Sequence, residues 1–318
     1  MLYLLLLISG LAILLLGGGG LVRGSTGLAK SYGVSPLLVG LTIVAFGTSA
    51  PELVVNVVGA LKEQTDIAFG NVAGSNLANL GLVLGGTAIM SRLRINDQIV
   101  TRDLPFLLLS STAIIIMILD PTLRGQKSLL DFSDALILLL FFSIFMYMTF
   151  GDLASNHHSS ENLETGSFWS GRTFNWLTVL LGSLGLAVGG EMVITNGVAL
   201  ANILGISPTI VGMALVAIGT SLPELVTSII AAMRKEADLC VGNIIGSNIF
   251  NLLLVLPVTA IIYPISTDVR GAQDIGVSLA LAASIIIIYL SNKKKMGKLW
   301  GILFLTSYIS YMCYRIFG

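Results

Sequence analysis

Along the chain, long uninterrupted apolar runs alternate with short polar or glycine-rich connections, and the runs are continuous rather than two-sided. A helix crossing a ~30 Å hydrocarbon layer needs about 20 such residues. Ten stretches answer to that description: 2–22, 37–60, 67–91, 104–119, 129–150, 174–196, 208–233, 239–264, 274–291 and 298–317. The pattern predicts an all-α integral membrane protein of ten transmembrane helices. Composition agrees: 55% of the 318 residues are hydrophobic and 11% charged, with a mean hydropathy of +0.92, outside the range of soluble domains. The opening run, "MLYLLLLISGLAILLLGGGG", lacks the basic n-region and small-residue cleavage site of a signal peptide, so it is read as the first span.

Charge then sets the expected orientation. With 17 basic and 17 acidic side chains there is no net charge and no argument for a nucleic-acid partner. With the amino terminus outside, the inner connections hold 12 of the 17 Lys and Arg residues, among them Arg23, Arg92, Arg94, Lys294, Lys295 and Lys298. Cytoplasmic loops carry such an excess. Both termini are therefore expected to be extracellular, in a multi-pass protein of the cell membrane. Cys240 and Cys313 fall in different apolar runs and read as two core residues.

A repeat dominates the chain. Residues 33–79 align without a gap on 205–251, at a constant offset of 172, with 22 of 47 positions identical. Five spans, an odd number, separate the copies, so they are expected to cross the membrane in opposite directions. Inverted repeats of this kind build a midplane site from interrupted helices in secondary transporters. The expected organisation is an N-terminal five-helix half (1–150), a polar cytoplasmic linker (151–173) and a C-terminal five-helix half (174–318). His157 and His158, in the linker, read as solvated loop residues.

The chemistry lies in the repeat. Glu52 and Glu224 hold equivalent places in "GTSAPE" and "GTSLPE". A buried ionisable group in a membrane is costly and points to function. Two carboxylates meeting at a pseudo-two-fold axis repel unless they are protonated or bridged by a cation. Thr48 and Ser49 precede Glu52 by four and three residues, as Thr220 and Ser221 precede Glu224, which sets hydroxyls on the helix face of each acid. Pro51 and Pro223 are expected to open their helices near Gly47 and Gly219, freeing carbonyl oxygens. In "GNVAGSN" and "GNIIGSN", Ser75 with Asn79 and Ser247 with Asn251 stand four residues apart. These are hard oxygen donors without thiolate or imidazole, a set for Na⁺ or Ca²⁺ rather than Zn²⁺. Glu191 is read as reaching the outer interface, and Asp131 and Asp134 as complementing a helix dipole.

The two copies resemble the alpha-1 and alpha-2 repeats of the Na⁺/Ca²⁺ exchanger branch of the Ca²⁺/cation antiporter superfamily. The likeness rests on "GTSAPE", "GTSLPE" and the "GNxxGSN" that follows each, and the span count fits the small prokaryotic members. It implies Ca²⁺ and Na⁺ as transported ions, with no cofactor. It further implies Glu52 and Glu224 as central Ca²⁺ ligands, and Thr48, Ser49, Ser75, Thr220, Ser221 and Ser247 around the ions. Backbone carbonyls would come from Ala45 and Ala217, and Asn79 would stand beside the central site. Asn251 departs from the pattern, because many members carry Asp there; the two Glu then give the site a charge of −2.

The expected function is Na⁺/Ca²⁺ antiport by alternating access, carried out by a monomer in the bilayer. A Ca²⁺/H⁺ antiporter and a cation channel are the rival transport readings. An intramembrane hydrolase is disfavoured, because no zincin motif, nucleophile elbow or His partner for a Ser is present. Gly18 and Gly190, equivalent at the 172 offset, are candidate hinging or sliding positions.

Overall fold

The computed structural model describes residues 2–63, 65–123, 125, 128–155, 171–204, 219–267, 269–291 and 294–317. Among them the main helices are α1 (Leu2–Tyr32), α2 (Pro36–Leu61), α3 (65–90), α4 (99–123) and α5 (Phe132–Ser155). The series continues with α6 (Arg172–Ile203), α7 (Leu222–Met233), α8 (Ala237–Ile262), α9 (Val269–Ser291) and α10 (Lys298–Phe317). Eight of these are long and apolar enough to cross a membrane. The other two are α7, whose upstream stretch 205–218 lies outside the described residues, and α10, where Ser, Thr and Tyr interrupt the apolar run. His157 and His158 also lie outside the described residues.

The first and sixth helices outrun their apolar stretches. Instead of 2–22 and 174–196 they reach 31 and 32 residues, about 47 Å at 1.5 Å per residue. Packing rather than hydropathy carries them on. The two lie antiparallel with their backbones in contact: a Cβ on Gly10 would fall 2.7 Å from the Met192 side chain, and one on Gly17 2.7 Å from the Leu186 amide. One on Gly24 would lie 2.8 Å from the Asn175 carbonyl. Such close approach is how small residues replace hydrophobic association in lipid. Arg23 and Lys30, expected in a connection, therefore lie on helix.

Local signals explain the ends. Gly33 takes φ +66°, which a glycine adopts without strain, and the Val34 amide donates to the Ala29 carbonyl at 2.9 Å, closing α1 in a Schellman motif. Ser35 caps α2 by accepting from the Leu38 amide at 3.2 Å, with Pro36 in the first turn. Asp131 accepts from the amides of Ser133 and Asp134 at the start of α5, so it caps the helix, where the sequence reading expected it to complement the dipole.

The most buried helices are α8, α3 and α2. Glycines bring α2 and α8 together: a Cβ on Gly40 would meet the Leu239 carbonyl at 2.6 Å, and one on Gly242 the Leu37 carbonyl at 2.6 Å. Short β-pairs lace the connections. Leu93–Arg94, after α3, pairs antiparallel with Lys295–Met296, before α10; Leu129–Leu130, before α5, pairs with Ile265–Ser266, after α8. Each pair joins one half of the chain to the other.

Four π-helical turns lie wholly among the described residues, at Gly40–Val44, Asn79–Leu84, Ile99–Asp103 and Asn251–Val255. Those at 79 and 251 begin at the same place in each repeat. A π turn widens the helix by one residue and re-aims the side chains beside it.

Candidate cation site

Pro51 does not open α2 near Gly47 as expected: Ala45–Leu61 is one continuous α-helix, and the irregularity is the π turn just before it. In that wider turn the Ala45 amide reaches the Gly40 carbonyl, and the turn ends before Gly47, whose carbonyl Pro51 leaves without its helical donor. In the second copy the stretch before Gly219 lies outside the described residues; Thr220 and Ser221 form a turn, and α7 begins at Leu222 with Pro223 in its first turn, where proline costs nothing. Thr220 and Ser221 thus sit on non-helical backbone, whereas Thr48 and Ser49 sit on helix.

Glu52 and Glu224 are both fully buried, and Glu52 lies within electrostatic reach of Glu224. Contacts across the two halves assemble the hydroxyls around them. Ser49 Oγ donates to Glu224 Oε1 at 3.2 Å. Thr48 Oγ1 shares a hydrogen bond with Ser247 Oγ at 3.2 Å, and Ser75 Oγ shares one with Thr220 Oγ1 at 3.0 Å. These last two contacts are the same contact repeated at the 172 offset. Thr48 also has the Ala45 carbonyl at 3.2 Å and Asn243 Oδ1 at 3.1 Å; having one proton, it can donate to only one of them. Ser221 is buried, with its hydroxyl unpartnered by protein among the described residues.

The asparagines form a cross that the sequence reading missed. Asn76 Nδ2 donates to the Asn248 backbone carbonyl at 3.1 Å. Asn251 Nδ2 donates to Asn76 Oδ1 at 3.1 Å, and Asn79 Nδ2 donates to Asn248 Oδ1 at 3.2 Å. One turn away, Asn71 donates to Asn56 Oδ1 at 3.0 Å, and its equivalent Asn243 donates to Ser228 Oγ at 3.1 Å. Asn76, Asn248, Asn71 and Asn243 all stand inside the quoted "GNxxGSN" motifs. Their repetition at the 172 offset was the signal that could have found them.

What remains after these bonds is mostly a set of oxygens, with one amide donor, Asn248 Nδ2, also unpartnered among the described residues. Both carboxyl oxygens of Glu52, Glu224 Oε2, Asn79 Oδ1, Asn251 Oδ1 and Ser221 Oγ are buried without a side-chain partner among the described residues. Buried polar groups that the protein leaves unpaired are costly, so their gathering fits the donor set of a hard cation. Among the described residues no three His, Cys, Asp or Glu side chains come together, so any ion here is held by two acids and neutral oxygens. Of the residues expected at the site, Ala217 lies outside the described residues. Glu191 lies apart on the exposed side of α6, where its carboxylate accepts from Thr195 Oγ1 at 2.9 Å.

Comparison with known proteins places this geometry. The family model described as "Sodium/calcium exchanger protein" matches residues 2–151 and 174–317. Inner membrane protein YrbG of Escherichia coli K12 is 33% identical over 320 residues, covering 96% of this chain and 94% of its own. Sodium/calcium exchanger MaX1 of Methanosarcina acetivorans is 27% identical over 346 residues, covering 97% of each. Among solved structures, the sodium-calcium exchanger NCX_Mj soaked with 10 mM Na⁺ superposes with a TM-score of 0.84 at 29% identity, covering 98% of both chains.

Proposed function

The chain belongs to the sodium/calcium exchanger family of the Ca²⁺/cation antiporter superfamily, in its small prokaryotic form, and from that premise we propose that it exchanges Na⁺ for Ca²⁺ across the membrane by alternating access. The family is one of transporters, not enzymes. The observation that carries the reading is the burial of Glu52 and Glu224 together, with unpaired oxygens of both turned over to whatever ion neutralises them.

Ca²⁺ is held between the two carboxylates, with hydroxyl and amide oxygens from Thr48, Ser49, Ser75, Asn79, Thr220, Ser221, Ser247 and Asn251 completing the sites for Ca²⁺ and Na⁺. The carbonyls of Ala45 and Ala217 serve the same ions. Against a site charge of −2, one Ca²⁺ or two Na⁺ leave neutrality, and a third Na⁺ leaves +1. An empty site keeps two buried charges uncompensated, at several kcal/mol, so the switch between inward and outward faces is made loaded. That is what separates an exchanger from a leak.

The ten helices act as two five-helix halves of opposite orientation, with both termini outside the cell. The antiparallel pairing of α1 with α6 and the repeated bonds across the halves support this reading. The protein works as a monomer in the cell membrane. Na⁺ is the driving ion in this reading, the hydroxyl and amide oxygens that line the acids being hard donors suited to Na⁺ as well as Ca²⁺.

The test is ⁴⁵Ca²⁺ uptake into proteoliposomes loaded with Na⁺, set against vesicles holding only a pH gradient. Uptake should follow internal Na⁺ and vanish in Glu52→Gln and Glu224→Gln. Uptake driven equally by the pH gradient alone would replace this reading with Ca²⁺/H⁺ antiport.

A further inference from the structure

Away from the cation site, a cleft of about 800 Å³ opens where the end of α3 meets the start of α10. Its polar wall is basic: Arg92, Lys295 and Lys298 line it together with Ser91, and all three cations are exposed. Among the described residues no acid pairs with Arg92 or Lys298. The nearby acid Asp97 is already engaged, accepting from Lys294 Nζ through both oxygens at 2.7 and 2.8 Å. The cleft also receives the N-terminus of the 20-residue α10, at Gly297 and Lys298. Backbone amides there point outward and the helix dipole favours an anion. A Cβ on Gly297 would meet nothing within 4 Å, so that end is sterically open.

The remaining wall is apolar and faces outward. Met90 is 60% exposed and Leu299 68% exposed, at the ends of two helices whose bodies are apolar, with Trp300 beside them. Tryptophan at a helix end marks the headgroup level of a bilayer. A soluble anion would use the cations and leave Met90 and Leu299 in water. A phospholipid uses both, with its phosphate at the basic wall and its chains along the apolar one.

We propose that this cleft is a binding site for an anionic phospholipid, whose phosphate lies among Arg92, Lys295, Lys298 and the start of α10. Arg92 and Lys295 stand on the two connections joined by the Leu93–Arg94 and Lys295–Met296 pair. One lipid would therefore bridge the two halves of the chain at the membrane surface. The site is separate from Glu52 and Glu224, and its test needs no transport.

The full chain is reconstituted in nanodiscs of phosphatidylcholine with a minor share of phosphatidylglycerol, and retained lipid is counted by native mass spectrometry. The wild type should keep one phosphatidylglycerol under collision energies that strip phosphatidylcholine. Each of Arg92→Gln, Lys295→Gln and Lys298→Gln should weaken retention about fivefold, the worth of one basic side chain near a membrane surface. A triple variant that melts like the wild type and still keeps the lipid would overturn the site. So would equal retention of phosphatidylcholine, or displacement of the lipid by inorganic phosphate, which would mark a free-anion site instead. The wild type supplies a test independent of any variant: retention must fall at high ionic strength, and salt-insensitive binding would reject the assignment.

Discussion

Ser49 donates to Glu224 from the opposite half of the chain at 3.2 Å, while its equivalent, Ser221, makes no such bond to Glu52. The repeat is near-identical in sequence here, so the difference is one of backbone. Ser49 is held on the continuous helix Ala45–Leu61, and Ser221 stands on the turn before α7. One acid of the pair is therefore supported by a fixed hydroxyl and the other is left to the ion.

Ser49→Ala should lower the stability of the protein in chelator by about 1.5–3 kcal/mol, the worth of a hydrogen bond to a charged group. Ser221→Ala should bring no such loss and, by removing a buried unpaired hydroxyl, should leave the protein at least as stable under the same conditions. Thermal melts in chelator, followed by intrinsic fluorescence in one detergent, decide the matter. Equal losses for the two variants would remove the asymmetry.

The connection before α10 yields a pH prediction. The Lys294 ammonium on Asp97 holds that carboxyl below the usual aspartate range, and Asp97 in turn raises Lys294. A depressed acid contributes above its unfolded value and loses that contribution as pH falls through the folded one. The raised lysine's contribution is present below its unfolded value and lost only as pH climbs through the folded one. The strap should therefore hold from weakly acidic to mildly alkaline pH and loosen in strong acid. Hydrogen exchange of the Ile95 amide, which donates to the Lys294 carbonyl at 2.8 Å, reports it, once corrected for the intrinsic pH dependence of exchange. Asp97→Asn should raise that protection-corrected opening already at neutral pH; protection equal to wild type would show that the ion pair holds nothing.

Much of this was legible in the sequence because it depends on periodicity. The apolar runs located the helices, and the 172 offset paired Thr48 with Thr220 and Glu52 with Glu224 before any coordinates. What it hid depends on helix–helix contact. The extension of α1 past Arg23 is set by Gly24 lying against Asn175, and no hydropathy window registers that. The π turns at Asn79 and Asn251 have no residue-level mark, since the extra residue is absorbed by the whole turn. The proline rule failed at Gly47, where Pro51 sits inside the continuous helix Ala45–Leu61, whereas Pro223 sits in the first turn of α7. The asparagine cross stayed unread because each amide looks like any other polar residue until its partner in the other half is known.

The glycines of α1 and α6 separate two roles that sequence alone merged. A Cβ on Gly182 would lie 2.5 Å from the Leu21 amide, inside the α1–α6 contact, whereas one on Gly18 would lie 2.9 Å from Val226 Cγ1, at the contact with α7. Gly190 is looser, with Leu14 Cδ1 at 3.6 Å and Pro223 Cγ at 3.9 Å. If α1 and α6 move as a unit past α7, Gly18→Val should slow exchange at least several-fold with Ca²⁺ binding intact, and Gly190→Val should slow it less. Gly182→Val should instead lower the melting midpoint, because a backbone contact cannot yield as a side chain can. Exchange rates, Ca²⁺ titration and melts on the three variants separate these outcomes; a Gly18→Val protein that exchanges at the wild-type rate would end the sliding account.

The place of Asn251 is fixed by its neighbour rather than by the ion. Asn76 spends its amide on the Asn248 carbonyl, so it presents Oδ1 to position 251 and requires a donor there. A carboxylate at 251 would set acceptor against acceptor, and turning Asn76 to suit it would break the bond to Asn248. Asn251→Asp should therefore be less stable than wild type in chelator, by about 1–3 kcal/mol for the lost pairing. A third carboxylate beside Glu52 and Glu224 adds repulsion that a divalent ion relieves. Ca²⁺ should consequently raise the melting midpoint of Asn251→Asp by more than it raises that of the wild type, since a ligand that binds only the folded state stabilises it by mass action. Melts with and without Ca²⁺ test both parts at once. An Asp variant as stable as wild type in chelator, with the same Ca²⁺ shift, would mean that Asn76 does not dictate the residue it faces.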